Sequence, residues 1–461
     1  MKNQIKIINK AIKLNSFNSQ NFCAKNYQQK QKQEELKHTH DITDDFYESY
    51  RKEIFQSLYK SGLNNENKIK GFATKEGTLK YSQRKSDLVD PLHFNTPMRE
   101  DLKLSSVGIG TYTGAPEQVD DLKMFNAICD SVLTGGVNVI DTAINYRYMK
   151  SERSVGAAVR HLVENLEYGR DELFIASKGG YIIDDADNGI PGSVQLEQLI
   201  KEAGVPKEEI ITDLHSMHPK FLDYMIQKSL NNIGVETLDL YYLHNSAEQQ
   251  MSLIGEEKYY DKLKKSFEFL QEQIDIKKTI KAYGMATWLC FRSPKSEEKI
   301  HTSLHKVTEI AKQIGGQNHG FKYIQVPINV MMPEAFCEKW QETSEDPSSE
   351  TYEPEVFLLR AARQNQVNVI SSSPLMQGAM LNVPLPSDVF KCKNLGAKHL
   401  QFMRSIPSPA LISTLIGQKT NRHTKMNLEV IQYPPLEVEE FWEFMTPKER
   451  QQFPEETIDL D

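Results

Sequence analysis

Cysteine is scarce in this chain, and the few cysteines are scattered. There are five in 461 residues, and no two stand at the spacing of a metal-ligand pair. The sequence therefore predicts neither a disulfide framework nor a metal site. Long hydrophobic runs are also missing, because none approaches the roughly 18–20 apolar residues that a membrane-spanning helix needs. We expect reduced thiols, no bound metal and no membrane span.

Positive charge is in deficit as well. The formal net charge is −8 at pH 7, which argues against nucleic acid as a partner, because phosphate binding requires a basic surface. The hydrophobic share of 39% and the charged share of 26% are typical of a soluble globular protein with a sizeable core. The length allows one large domain with additions, or two domains.

Acidic residues are absent from residues 1–33, which contain seven lysines. Together with isoleucines at near-helical spacing, this pattern is typical of a mitochondrial targeting segment. The alternative is a disordered tail rich in Lys, Asn and Gln, and the arginines usual in targeting segments are lacking. We interpret residues 1–40 as a basic disordered or targeting segment, and expect the protein in the cytoplasm or the mitochondrial matrix.

A helix is predicted over residues 43–61, where apolar residues recur every four positions: Phe46, Tyr50, Ile54 and Leu58. Its apolar stripe must dock on something, most simply the main domain, with a protein partner as the alternative. Residues 62–100 are polar and rich in turn residues, and we expect them to cap the next region. Residues 41–103 thus form a predicted N-terminal helix and capping extension.

From about residue 104, strand-like runs alternate with helical patterns. The predicted strands are 106–110, 137–142, 173–178, 238–244, 282–287, 323–329, 367–372 and 413–417. The helical patterns are 117–133, 151–165, 219–233, 258–276, 299–314, 354–365 and 396–406. Eight strands alternating with helices favour a closed (β/α)8 barrel over an open, doubly wound sheet. We assign the barrel to residues 104–432 and an acidic C-terminal tail to residues 433–461.

Three connections are long: 180–216, 245–257 and 331–353. Two of the three follow a predicted strand directly, so they lie on the catalytic face and are candidate walls of a substrate pocket. Four ionisable residues stand at or just after the carboxyl ends of three successive predicted strands: Asp141, Tyr146, Lys178 and His244. In a barrel of parallel strands these ends converge on one face, where catalytic groups cluster. We therefore expect the four side chains to form one site.

These four residue types suit the reduction of a carbonyl group. A free tyrosine is a poor acid near neutral pH, and a neighbouring ammonium lowers its pKa. Lys178 can act on Tyr146 in this way, while Asp141 holds Lys178 in place. His244 can donate a hydrogen bond to the carbonyl oxygen of a substrate. The hydride would come from a nicotinamide.

Several longer stretches carry a resemblance to a known family. They are LKLSSVGIGTYTG (102–114), GGVNVIDTAINYRYMKSERSVGAAV (135–159), DELFIASKGG (171–180), SLNNIGVETLDLYYLHN (229–245), SSSPLMQG (371–378) and STLIGQKTNRHTKMNLE (413–429). Over roughly residues 104–430 the chain resembles the aldo/keto reductases, which are (β/α)8 barrels that bind NADPH across the carboxyl face. The resemblance implies NADPH as the cofactor and a small carbonyl compound as the substrate.

The resemblance also implies roles for individual residues. Asp141, Tyr146, Lys178 and His244 match the catalytic tetrad of the family, with Tyr146 as the proton donor. Residues matching the cofactor-binding positions are Gly110, Thr111, Tyr112, Thr287, Gln325, Ser372, Ser373, Leu375, Gly378, Gly417, Lys419, Thr420, His423 and Asn427.

The last of these segments also predicts an anion site from its residues alone. A helix is expected to start near Asn421, and a helix N-terminus with Lys419 and Arg422 nearby attracts anions. The alternative is a solvated basic helix start. In the family, the adenosine 2′-phosphate of NADPH binds at this place.

The chain departs from the family pattern at two positions. Ala286-Thr287-Trp288 stands where Ser-Asn is usual, and Ser372 stands where many members have a tyrosine that stacks on the nicotinamide. A dinucleotide-binding GxGxxG is lacking. We expect an NADPH-dependent reductase of aldehydes or ketones. The alternative is a regulatory or subunit protein that keeps the fold and the cofactor with little turnover.

Overall fold

The structure is a computed structural model, and it describes residues 44–62, 67–297, 299–349 and 352–446. The basic segment 1–40 and the end of the acidic tail lie outside the described residues. Among the described residues, no helix combines the length and apolar character that crossing a bilayer requires.

Eight parallel strands close into a barrel, so the predicted fold class is confirmed. The strands are β1 Val107–Gly110, β2 Val139–Asp141, β3 Phe174–Gly179, β4 Leu238–His244, β5 Ile280–Ala286, β6 Phe321–Pro327, β7 Asn368–Ser372 and β8 Leu411–Gly417. All eight lie within two residues of their predicted bounds. Inside the barrel, large apolar side chains such as Phe174, Tyr242 and Tyr323 fill the lumen, so the barrel is a packed core.

The strand register sets the carboxyl ends of neighbouring strands at one level. Gly417 pairs with Gly110, Gly110 with Asp141, and Asp141 with Ala176. Lys178, two residues further along β3, pairs with Tyr242 of β4. Groups at or just past these positions therefore face a common surface.

Fourteen helices accompany the barrel in the described part of the chain. They are α1 Asp44–Gly62, α2 Lys75–Lys85, α3 Gln118–Thr134, α4 Lys150–Asn165, α5 Gly192–Lys201, α6 Pro219–Ile233, α7 Ser246–Ile254, α8 Glu256–Glu272, α9 Leu304–Gly315, α10 Glu334–Cys337, α11 Leu358–Gln364, α12 Leu395–Ser405, α13 Asn421–Asn427 and α14 Val438–Met445. The helix predicted over 354–365 starts only at Leu358, because Glu355–Phe357 is a strand paired with Lys339–Glu342.

Five helices were missed by the sequence analysis: α2, α5, α7, α10 and α14. Helices α5, α7 and α10 lie in the three long connections. Helix α2 lies in the region predicted to be turn-rich, and it is held through Tyr81, whose hydroxyl lies 2.8 and 2.9 Å from the carbonyl oxygens of Val132 and Val137. Helix α14 lies in the predicted acidic tail, where Phe441 is fully buried with its ring centroid 5.5 Å from that of Phe402.

Helix α1 docks on the barrel, as its apolar stripe predicted. Phe55 is buried with its ring centroid 5.4 Å from that of Phe125 on α3. Arg51 forms an ion pair with Asp130 at 2.7 Å, and the Tyr59 hydroxyl donates a hydrogen bond to Asp187 at 2.7 Å. Ile54 and Leu58 of the predicted stripe are partly buried against the same core.

We predict that Phe55→Ala detaches α1 from the barrel. Removing a buried phenylalanine side chain costs about 3–5 kcal/mol, and the loss should appear as faster proteolytic cleavage near residues 62–67 and a lower urea midpoint. Lys52→Ala, at an exposed position of the same helix, is the control and should change stability by less than about 0.5 kcal/mol. Equal behaviour of the two variants would show that α1 contributes no packing energy.

Candidate active site

A cavity of about 1180 Å³ opens at the carboxyl ends of the strands. All fourteen residues predicted to bind a cofactor line it, together with Asp141, Tyr146 and His244. Lys178 lies beneath the cavity floor and is fully buried. The structure thus brings together every site residue that the sequence analysis named.

The floor of the cavity is built on an ion pair between Lys178 and Asp141. The Lys178 ammonium donates to one carboxylate oxygen of Asp141 and, at 3.0 Å, to the carbonyl oxygen of Thr142. The Gln325 amide donates to the other Asp141 oxygen at 2.8 Å. Burial alone would lower the pKa of Lys178, but the Asp141 carboxylate raises it above its ordinary value. Lys178 therefore carries a proton at neutral pH.

Tyr146 completes this arrangement. Its hydroxyl oxygen accepts a hydrogen bond from the Lys178 ammonium at 3.1 Å, which leaves its own proton free to point into the cavity. Burial raises the pKa of Tyr146, and the opposing effect of Lys178 is smaller. The net pKa direction is therefore the reverse of the one expected from the sequence, and the hydroxyl stays protonated at neutral pH. A protonated hydroxyl facing a cavity can serve as a general acid.

His244 stands beside Tyr146 with its ring centroid 6.0 Å away. Burial, reinforced by the positive charge of Lys178, lowers the pKa of His244 well below its ordinary value. Its imidazole is therefore neutral, and its one ring N–H can donate a hydrogen bond to a carbonyl oxygen. Nδ1 is buried without a hydrogen-bond partner among the described residues.

The turn after Tyr146 has an unusual backbone. Arg147, Tyr148 and Met149 all have positive φ values, of 48°, 56° and 71°, and such conformations persist only where the surroundings hold them. Arg147 does so by an ion pair with Asp121 at 2.8 Å and hydrogen bonds to two serine hydroxyls on α4. This buried anchor fixes the point at which Tyr146 enters the cavity.

The predicted anion site at α13 contains an ion pair that the sequence did not indicate. Lys419 forms an ion pair with Asp120 at 2.9 Å, and this contact helps to lower the pKa of Asp120 to about 2, against the opposing effect of burial. The Thr420 hydroxyl caps α13 by accepting from the His423 amide at 3.1 Å. Sequence reasoning missed Asp120 because it lies some 300 positions away.

Other walls of the cavity come from residues that follow the strands directly. Asn145, Tyr181, Asn245 and Trp288 line it but were not named as site residues, although their positions just past β2–β5 were a readable signal. Of the three long connections, 180–216 and 245–257 contribute lining residues through Tyr181 and Asn245, while 331–353 supplies none among the described residues. The longest stretch of wall is the connection after β7.

Glu248 holds the wall that carries Trp288. One of its carboxylate oxygens accepts the backbone amides of Trp288, Leu289 and Cys290, at 2.9, 2.8 and 3.1 Å. At the two positions that depart from the family pattern, Thr287 and Ser372 both line the cavity. No grouping of three or more His, Cys, Asp or Glu suited to a metal ion occurs within the described ranges.

The barrel, its cavity and the Asp–Lys–Tyr–His cluster define a (β/α)8 protein with a buried acid at the strand ends. The aldo/keto reductase family model matches residues 106–287, which contain all four of these residues. This part of the chain is therefore similar to the aldo/keto reductases.

Individual proteins are more distant. The NADH-specific methylglyoxal reductase of Escherichia coli (strain K12) is 28% identical over 150 residues, which span 31% of this chain and 39% of that relative. The structure of an aldo/keto reductase from Klebsiella pneumoniae in complex with NADP and acetate aligns with a TM-score of 0.50 at 14% identity, covering 79% of this chain and 96% of that one. Similarity at this level of identity shows the fold.

We predict that Lys178→Met destabilises the protein by about 3–5 kcal/mol, because it leaves Asp141 as an unpaired buried charge. The double variant Asp141→Asn, Lys178→Met should be more stable than the single one, as measured by urea unfolding. In Lys178→Met, burial holds the pKa of Asp141 above its unfolded value, so the deficit relative to wild type should shrink as pH falls. Strictly additive losses would mean that the two side chains do not interact.

Proposed function

We propose that the protein is a nicotinamide-nucleotide-dependent reductase of aldehydes or ketones. The observation that carries this proposal is the chain of contacts from Asp141 through Lys178 to the hydroxyl of Tyr146, in a cavity large enough for a cofactor and a substrate. The match of residues 106–287 to the aldo/keto reductase model supports it, and the similar proteins include one described in complex with NADP and one described as NADH-specific.

The residues present fit such a cofactor. The cavity runs from Thr287 and Gln325 at β5 and β6, past the connection after β7, to Lys419 and Arg422 at the end of β8. The first two offer polar groups suited to a carboxamide, and the last two offer positive charge suited to phosphate. When bound, the nicotinamide supplies the hydride.

The side chains at the cavity floor orient the carbonyl group and supply the proton. His244, being neutral, donates a hydrogen bond to the carbonyl oxygen and orients it. Tyr146 gives its proton to the same oxygen as negative charge develops there, and the Lys178 ammonium stabilises the phenolate that remains. Asp141 keeps Lys178 charged and in place, and Gln325 holds Asp141.

The alternative of a regulatory protein with little turnover has less support. Helix α1 was a candidate docking element for a protein partner, but it packs on the barrel of the same chain through Phe55 and Tyr59. The contacts between Lys178 and both Asp141 and Tyr146 are in place, which favours the enzyme.

We predict that Tyr146→Phe removes the proton donor and leaves the cofactor site intact. General acid catalysis contributes about 10²–10⁴-fold, so the turnover of aldehydes should fall by at least about a hundred-fold while NADPH affinity changes little. Absorbance loss of NADPH with an aldehyde panel measures the first, and fluorescence titration the second. Tyr148→Phe, at a half-exposed position two residues on, is the control. Residual activity within a few-fold of wild type would contradict the assignment of Tyr146.

We also predict a preference for NADPH over NADH that depends on Lys419. A charge-assisted hydrogen bond contributes about 1.5–3 kcal/mol, so Lys419→Met should weaken NADPH binding about ten-fold or more and barely change NADH binding. Lys425→Met, on the outer side of the same helix, should change neither affinity. Equal losses for both cofactors would mean that Lys419 acts on parts they share, and no loss for either would point to Arg422.

A further inference from the structure

The positively charged residues that line the cavity lie on one side of it. Four lining residues that can be positive lie on the β8 and β1 side: Lys123, Lys419, Arg422 and His423. The register sets Gly417 two strands from Asp141, and neighbouring strands lie about 4.8 Å apart. The end of β8, which leads to Lys419 and α13, therefore lies about 10 Å to one side of the proton-donating cluster.

The opposite side of the cavity, around Tyr146 and His244, has a different chemistry. Among the described residues, those lining it after β2–β5 are uncharged: Asn145, Tyr181, Asn245, Thr287 and Trp288. The one acid on the floor, Asp141, is ion-paired with Lys178, and His244 is neutral. Because Lys178 is buried beneath the floor, the described residues that line this end present no cation to an anionic substrate group.

Aromatic rings frame the two groups that face the carbonyl. The ring of Tyr112 meets that of Tyr146 edge-on at 5.1 Å, and the ring of Tyr181 meets that of His244 edge-on at 5.3 Å. Tyr112 remains 57% exposed and Trp288 44% exposed. Exposed rings on a cavity wall offer flat apolar surface together with polar edges.

An acid stands behind this wall. Glu248 bonds the amides at Trp288 to Cys290 through one oxygen, while its second oxygen is buried without a hydrogen-bond partner in the described part of the chain. The negative charge of Glu248 also acts on Tyr181, whose pKa is raised first by burial and further by Glu248. Arg292, which donates to the Trp288 carbonyl oxygen at 2.9 Å, lies behind the same wall and does not line the cavity, so it offers no direct ion pair to a carboxylate or phosphate on the substrate.

We propose, resting on the proposed reductase function, that the substrate is an uncharged carbonyl compound with a flat or apolar face, and that keto acids and phosphorylated aldehydes are rejected. The positive residues at the β8 side serve the cofactor phosphates and are not available to the substrate. The aromatic rings bind the body of the substrate, and the amides of Asn145 and Asn245 bind its neutral polar groups.

Matched pairs of carbonyl compounds that differ by one charge test this proposal. Methyl 4-formylbenzoate and 4-formylbenzoate form one pair, and methyl pyruvate and pyruvate form another. With full-length protein and saturating NADPH, kcat/KM should be at least ten-fold higher for the ester of a pair. Equal efficiency, or a preference for the acid, would overturn this proposal while the reductase function stands. No NADPH oxidation with either pair would overturn both.

A variant pair separates the effect of the wall from the intrinsic reactivity of the compounds. Tyr112→Lys places a cation at the carbonyl end, and Tyr112→Met is its uncharged control of similar length. The ester-to-acid ratio of kcat/KM should fall at least about three-fold in Tyr112→Lys relative to Tyr112→Met, since an exposed ion pair contributes up to about 1 kcal/mol. An unchanged ratio would mean that the wall does not set the charge preference.

Discussion

The buried ion pair between Lys178 and Asp141 is the constraint on which the site depends. An ammonium without solvent contact is stable only with a carboxylate and further acceptors around it, and here Asp141 and the Thr142 carbonyl supply them. Because the two partners sit on adjacent barrel strands, the pair forms only when β2 and β3 are paired in the correct register. Fold and chemistry are thus specified by the same contact. The ion pair also positions Tyr146, since the Tyr146 hydroxyl oxygen accepts a further hydrogen bond from the Lys178 ammonium.

A second set of buried charges holds the turn that carries Tyr146. Asp121 pairs with both Arg147 and Lys150 at 2.8 Å, and Asp187 pairs with Lys150 and Arg153. Tyr59 of α1 joins the same cluster through Asp187. The N-terminal helix and the connection after β3 therefore help to hold the left-handed turn at residues 147–149. This network explains how a segment far from the barrel strands becomes part of the scaffold of the site.

Much of the fold and the site could be read from the sequence because both depend on local signals. Buried parallel strands give continuous apolar runs, and the groups at their ends stand out as ionisable residues after such runs. Helix α2 was not predicted because Tyr81, its one large buried apolar side chain, gives no periodic apolar stripe, and because Gly77 lowers its helix propensity. That glycine is needed because a Cβ there would lie 2.2 Å from the Asp171 carbonyl oxygen. The pairing of Lys419 with Asp120 and the net pKa direction of Tyr146 depend on tertiary burial, which a sequence does not encode locally.

The central claim is that this site transfers a hydride from a nicotinamide to a carbonyl carbon while Tyr146 supplies the proton. The most direct test uses NADPH carrying deuterium at one or the other C4 position, with methyl 4-formylbenzoate as the substrate and mass spectrometry of the alcohol formed. The groups that bind the carbonyl oxygen lie on one wall of the cavity, so the carbonyl carbon can face only one side of the nicotinamide ring. We therefore predict deuterium in the alcohol from one of the two labelled cofactors and none from the other. An alcohol without cofactor deuterium in both cases, or the absence of any alcohol, would contradict the account.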